Sequence, residues 1–131
     1  MVSHPLPWGV LRLGICYDLR FPELFRLGPA PDFIALPAAF THTTGLAHWA
    51  LLLRARAVEN LAFVFASAQG GHHPGGRRTF GHSMIIDPWG RILAQVEEGQ
   101  GMAIATLDLA AQRTVRSQLP ALTHRKIAVG P

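Results

Sequence analysis

Cysteine is nearly absent from this sequence: Cys16 is the only one in 131 residues. A single thiol closes no internal disulfide and completes no zinc cage. Lysine is equally scarce, with Lys126 alone in the tail. Charged residues make up only 15% of the chain against 49% hydrophobic ones, a balance that excludes intrinsic disorder. Long apolar runs are missing too. No window approaches the roughly 18 consecutive apolar residues of a transmembrane helix. The N-terminus, MVSHPLPWG, lacks the basic start and apolar stretch of a secretory signal. These absences point to a cytoplasmic protein that does not span a membrane, with room for one domain over residues 1–131.

Charge of negative sign is in short supply. Lys and Arg number 12 against 8 Asp and Glu, for a net charge of +4. A basic balance raises the question of nucleic acid. Here the arginines are scattered, and the densest groups, Arg77-Arg78 and Arg125-Lys126, are too small to track a phosphate backbone. No DNA- or RNA-binding motif is present, so the charge reads as solubility and local pairing, without a nucleic-acid partner.

What is present is an alternation of β-rich and helical runs. Val10 to Ile15 reads as a strand, and Phe21 to Leu27 as a short helix with Pro22 in its first turn. Phe33 to Leu36 is a short buried strand. Leu46 to Asn60 is the longest helix, with Leu46, Ala50, Leu53, Ala57 and Leu61 on one stripe. Ala62 to Ala68 is a near-continuous apolar run, the mark of a strand covered on both faces. After a Gly-rich loop over Gln69 to Arg78, Ser83 to Asp87 and Arg91 to Val96 form a hairpin around Pro88-Trp89-Gly90. Met102 to Leu107 is a further strand, and Leu109 to Leu119 a last helix with Asp108 as N-cap. The class is α/β, in layers.

Cys16 stands at a strand-to-helix junction, where a side chain is presented at the sheet edge and backbone N–H groups face it. Such a place favours the thiolate, the form that attacks carbonyl carbon. A lone cysteine also serves as a small buried hydrophobe, and position alone leaves both readings open. Around it, Arg20 and Glu23 are three residues apart, within reach on a helical turn. They form either a surface pair of little worth or a buried pair that fixes the turn holding Cys16.

The run Cys16-Tyr17-Asp18-Leu19-Arg20-Phe21-Pro22-Glu23 resembles the nucleophile motif of the nitrilase superfamily, the carbon–nitrogen hydrolases. The resemblance continues in order through Pro37 to Phe40, Thr44-Gly45 with His48-Trp49, Leu53 to Asn60, Gly81 to Met84 and Asp87 to Gly90. The Gln69 to His82 loop looks most like the branch containing deaminated glutathione amidase and omega-amidase. What the resemblance implies is an amidase that needs no cofactor. Its Cys nucleophile works with a Glu general base and a Lys that stabilises the oxyanion, through a thioester intermediate. Its substrate is a small linear amide of the deaminated-glutathione α-keto type. By that resemblance Cys16 is the nucleophile and the Tyr17 backbone N–H an oxyanion-hole donor. Arg20 and Glu23 buttress the turn, and Phe40, Thr41, His42 and His48 belong to the substrate pocket. Homo-oligomerisation is a further implication.

The same resemblance implies a four-layer α-β-β-α sandwich, of which this chain is the C-terminal half. The superfamily places its Glu and Lys before the nucleophile strand. Only 15 residues precede Cys16 here, and none is Glu, Asp or Lys. Glu23 and Glu59 match structural positions, and Lys126 matches no catalytic one. The alternative is therefore a catalytically inactive remnant or interaction module. Seven histidines raise the question of metal. Adjacent His72 and His73, even with His82, make a poor ligand set without Cys or carboxylate, so no metal is expected. The loop glycines lack the GK[ST] context of a phosphate cradle.

Overall fold

A computed structural model describes residues 2–127. Its centre is a six-stranded mixed sheet in the order β1-β2-β3-β4-β7-β8. These strands are β1 (Val2–Leu6), β2 (Gly9–Leu13), β3 (Phe33–Ala38), β4 (Phe63–Ala68), β7 (Ser83–Ile86) and β8 (Ile92–Val96). The three in the middle, β2, β3 and β4, run parallel, and each outer pairing is antiparallel. Two crossovers join the parallel strands, as parallel pairing requires. The first holds two 3-10 turns, Cys16–Arg20 and Pro22–Arg26. The second is a long helical segment: α1 (His42–Thr44), a π turn (Gly45–Trp49) and α2 (Ala50–Asn60). A two-stranded ribbon of β5 (Gly70–His72) and β6 (Arg78–Phe80) rises from the loop after β4.

The core lies between the sheet and the two crossovers. Ile34 and Leu36 of β3, Val64 and Ala66 of β4, and Met84 and Ile86 of β7 alternate onto one face. Leu19, Phe25, Trp49, Leu53 and Ala57 meet them from the crossovers. On the other face Phe33 stacks on Phe63 at 6.1 Å between ring centroids. The helix α3 (Leu109–Gln118) is tied to the N-terminal ends of β3 and β4. Gln112 Nε2 donates to the carbonyls of Asp32 (2.9 Å) and Leu61 (3.0 Å), and Arg116 pairs with Asp32. Asp108 caps α3, accepting from Ala111 N at 2.8 Å, as the sequence predicts. A last turn, α4 (Ala121–His124), follows.

Four features differ from the sequence reading. A strand over Val2–Leu6 is added at the edge, despite Pro5. Val10 turns both its N–H and its C=O toward Asp32, at 2.7 and 2.8 Å. Its cross-strand partner Pro5 therefore bonds nothing on β2, and the proline nitrogen faces outward, where an edge strand tolerates it. Second, Met102 to Leu107 forms no ladder. Its side chains alternate outward and inward, Met102 and Ile104 being 79% and 76% exposed, yet no strand of the described residues pairs with it. Third, the Gln69–Arg78 loop contains β5 and the start of β6. Fourth, Leu46 leaves the helical stripe and is exposed, because the π turn inserts an extra residue there and Trp49 takes the buried place.

Candidate active site

Strand β2 continues past Leu13 with Gly14 N donating to Ala35 O at 3.0 Å, and then the chain turns sharply. Ile15 is extended, and Cys16 takes φ 46°, the left-handed region. For a residue with a Cβ that conformation costs about 1–2 kcal/mol, and such strain gathers at functional sites where the surroundings enforce it. Asp18 does the enforcing. Its N–H donates to Ile15 O at 2.9 Å, and its Oδ2 accepts from Ile15 N at 2.8 Å. The result is a half-buried free thiol at the start of a 3-10 turn, whose first N–H groups, Tyr17 among them, have no acceptor within the turn. Cys16, the Phe40–His42 segment and the Gln69–His82 loop all gather at the carboxyl ends of the parallel strands. In an open α/β sheet that is where ligands bind.

The turn is held from behind by a residue the sequence reading did not single out. Arg56 of α2, almost fully buried, donates from Nε (3.0 Å) and Nη2 (2.7 Å) to the carbonyl of Leu19. Its Nη1 meets Glu59 at 2.8 Å, Glu59 lies 3.8 Å from Arg26, and the guanidinium rests over Phe25. A signal was present: a charged residue three after Leu53 and one before Ala57 falls on the apolar stripe. Glu59 is thus engaged by two arginines of the crossovers.

Arg20 and Glu23 do not meet. The chain is extended at Phe21 (φ −111°, ψ 90°) between two separate 3-10 turns, so the three-residue spacing spans no common helical surface. Glu23 is exposed and makes no ion pair among the described residues. Arg20 turns the other way. Its Cζ lies 5.4 Å from the Tyr17 ring centroid and 5.3 Å from that of Phe40, and its Nη1 is 3.3 Å from His48 Nδ1.

The structure thereby joins Tyr17, Arg20, Phe40 and His48 into one cluster on the turn that begins at Cys16. Phe40 is buried, with Trp49 at 4.8 Å between centroids. Thr41 and His42 lie toward the β5–β6 ribbon instead: Thr41 bridges to Thr79, and His42 sets its ring edge on Phe80 at 6.0 Å. Phe80 stacks on His82 at 3.9 Å. His82 is anchored at Nδ1 by Phe80 O (2.9 Å), while its own carbonyl accepts from Trp49 Nε1 (2.8 Å). His73 faces Thr79 and His72 is exposed, so these three histidines do not converge. Among the described residues no group of three His, Cys, Asp or Glu side chains is placed to hold a metal. A cleft of about 460 Å³ lies behind the turn between Phe25, Asn60 and Leu122. Among the described residues no helix is long and apolar enough to cross a membrane.

Over residues 5–117 the chain matches the family described as Carbon-nitrogen hydrolase. It is 51% identical over 126 residues to the deaminated glutathione amidase of Synechocystis sp., covering 95% of this chain and 46% of that protein. It is similar, with a TM-score of 0.87 and 34% identity, to a Saccharomyces cerevisiae structure described as a branch 10 member of the nitrilase superfamily. That match covers 96% of this chain and 47% of the yeast one. A mutant amidase from Nesterenkonia sp. AN1 has a TM-score of 0.77 and 26% identity over 95% of this chain and 44% of its own. Its structure shows the acetamide moiety of fluoroacetamide added covalently at the active site cysteine. The chain spans about half the length of the curated relatives it matches. By family match and by fold, this chain belongs to the carbon–nitrogen hydrolases, with the mixed α/β fold of the nitrilase superfamily.

Proposed function

We propose that residues 1–131 are a partial carbon–nitrogen hydrolase domain, the nucleophile-bearing C-terminal half, and that Cys16 attacks an amide carbon. The observation that carries this reading is the strained φ of Cys16 at the carboxyl end of β2, with the Tyr17 N–H beside it. The thiol proton passes to a general base as sulfur bonds to the carbonyl carbon. The oxyanion is met by the Tyr17 N–H, where loss of one donor typically costs about 10²–10³ in rate. The C–N bond then breaks, the nitrogen leaves as ammonia with a proton from the base, and water hydrolyses the thioester to regenerate Cys16. The substrate class is a small linear amide of the α-keto type. Similarity to deaminated glutathione amidases supports that choice. Phe40 and His48, both beside Arg20, are the pocket side contributed by this half, with Thr41 and His42 at its border with the β5–β6 ribbon. A reducing, cytoplasmic setting suits the lone thiol, and self-association follows the family.

The base and the oxyanion cation are the missing parts. Asp18 is engaged with Ile15, Glu59 with Arg56, and Glu98 with Arg78, while Glu23 is exposed. Lys126, the sole lysine, is exposed in the tail. This arrangement favours a second reading for the chain by itself, an inactive remnant or interaction module. Ammonia release from deaminated glutathione separates the two. The 131-residue chain is expected to show no rate above its Cys16→Ala control, and a Cys16-dependent rate appears once a Glu- and Lys-bearing segment is supplied. If no such segment restores a rate, the amidase reading fails.

A further inference from the structure

We infer that His48 is a positioning residue for the nucleophile turn, and that it acts only as the neutral imidazole with its proton on Nε2. A guanidinium has donors and no acceptor, so the 3.3 Å contact from Arg20 Nη1 requires a lone pair on His48 Nδ1. That contact holds the Arg20 guanidinium where it lies within 5.4 Å of both the Tyr17 and Phe40 ring centroids. Arg20 closes the same turn that Cys16 opens. The imidazole therefore reaches the thiol's turn through one side chain.

The π turn is what makes the reach. An uninterrupted α-helix places its buried stripe through Leu46; the extra residue in Gly45–Trp49 exposes Leu46, seats Trp49 in the core and leaves His48 half-buried beside Arg20. Gly45 allows it, since any Cβ there would fall inside the Phe80 side chain. A π turn beside a strained residue is a recurrent mark of a functional site.

Protonating His48 removes the lone pair and sets a second cation against Arg20. The carboxylates on the neighbouring elements are already engaged. On the elements packed against the π turn, the titratable groups are Cys16, Tyr17, Asp18 and Arg20 on the nucleophile turn and His42 on α1. Arg78 stands on β6, and Arg54, Arg56 and Glu59 on α2. Asp18 is bound to Ile15, Glu59 to Arg56, Arg78 to Glu98 and Arg54 to the carbonyl of Gly90. The contact is thus a latch that opens on acidification. Its meaning for catalysis rests on Cys16 being the nucleophile; the latch itself is read without any amide assay, so the two fail separately.

Two unique residues report on it, since the chain has one tyrosine and one cysteine. The experiment follows the single tyrosine ring resonance and the rate of Cys16 alkylation by iodoacetamide from pH 5 to 8. Wild type is compared with His48→Asn, which keeps an acceptor near the Nδ1 position without a titrating ring, and with His48→Leu, which has none. The expected result is that His48→Asn keeps the high-pH wild-type tyrosine shift throughout. His48→Leu loses that shift and alkylates about three- to tenfold more slowly at every pH, as the cation leaves the turn. Wild type matches His48→Asn at pH 8 and moves toward His48→Leu as His48 protonates. A tyrosine signal and alkylation rate indifferent to His48→Leu overturn the proposal. So does a His48→Asn variant that behaves like His48→Leu, or a wild type whose ratio to His48→Asn is flat with pH.

Discussion

The guanidinium of Arg56 reaches across 37 positions of sequence to hold the carbonyl of Leu19 with two hydrogen bonds. It thereby fixes the turn carrying Cys16 from the side the solvent does not see. Replacing Arg56 by Met strands that carbonyl and removes the nearer partner of Glu59, leaving Arg26 at 3.8 Å. Breaking a buried, hydrogen-bonded ion pair from one side costs about 3–5 kcal/mol, and the partial exposure of Glu59 puts this case at or below the lower end. Urea unfolding of Arg56→Met checks it; a loss under about 0.5 kcal/mol would show that the clamp contributes nothing.

Arg12 predicts the opposite outcome. It is as buried as Arg56 but has no carboxylate, donating to the carbonyls of Leu24 (3.3 Å) and Pro29 (2.6 Å) while its Nε has no partner. Burial pushes its guanidinium below the ordinary value. Arg12→Met gives up two hydrogen bonds and is relieved of a desolvated charge, so stability is expected to stay within about 1 kcal/mol of wild type. A loss as large as that of Arg56→Met in the same urea series would refute this contrast.

The Gly45–Phe80 contact predicts a non-additive pair. Gly45→Ala drives a methyl into Phe80, and overpacking of this kind costs about 1–3 kcal/mol. In a Phe80→Ala background the methyl finds space. The two changes together are expected to cost less than their sum by at least about 1 kcal/mol. Additive thermal shifts in the four-member cycle would mean that the π turn moves to accommodate the methyl.

The backbone at Cys16 predicts that glycine is better than alanine there. Both remove the thiol, but only glycine adopts φ 46° without a Cβ clash. Cys16→Gly is expected to exceed Cys16→Ala in stability by roughly 1 kcal/mol. Equal midpoints in denaturant would remove strain from the account of this turn.

Much of the fold was legible because local pattern and tertiary burial agree. The apolar Ala62–Ala68 run is β4, the Asp87–Gly90 turn is a hairpin, and Asp108 caps its helix. What escaped depends on partners. Met102–Leu107 has the period-two exposure of a strand, and a strand also needs a neighbour. Pro5 argues against a strand unless its nitrogen is known to face outward. The site divides the same way. Motif order singles out Cys16 and Phe40, but it pairs Arg20 with Glu23, whereas Arg20 lies with His48, which a π turn unmarked in composition brings near.

The outward nitrogen of Pro5 also makes the two borders of this sheet unequal. With Val10 turned inward, β1 presents only Ser3 and Pro5 to a newcomer, and one of them has no hydrogen to give. The opposite border, β8, has no strand beyond it among the described residues. A ribbon of unlimited length needs two receptive borders on every copy. The β1 border lacks one donor and is the less receptive of the two, so addition of a strand through the sheet is favoured at β8.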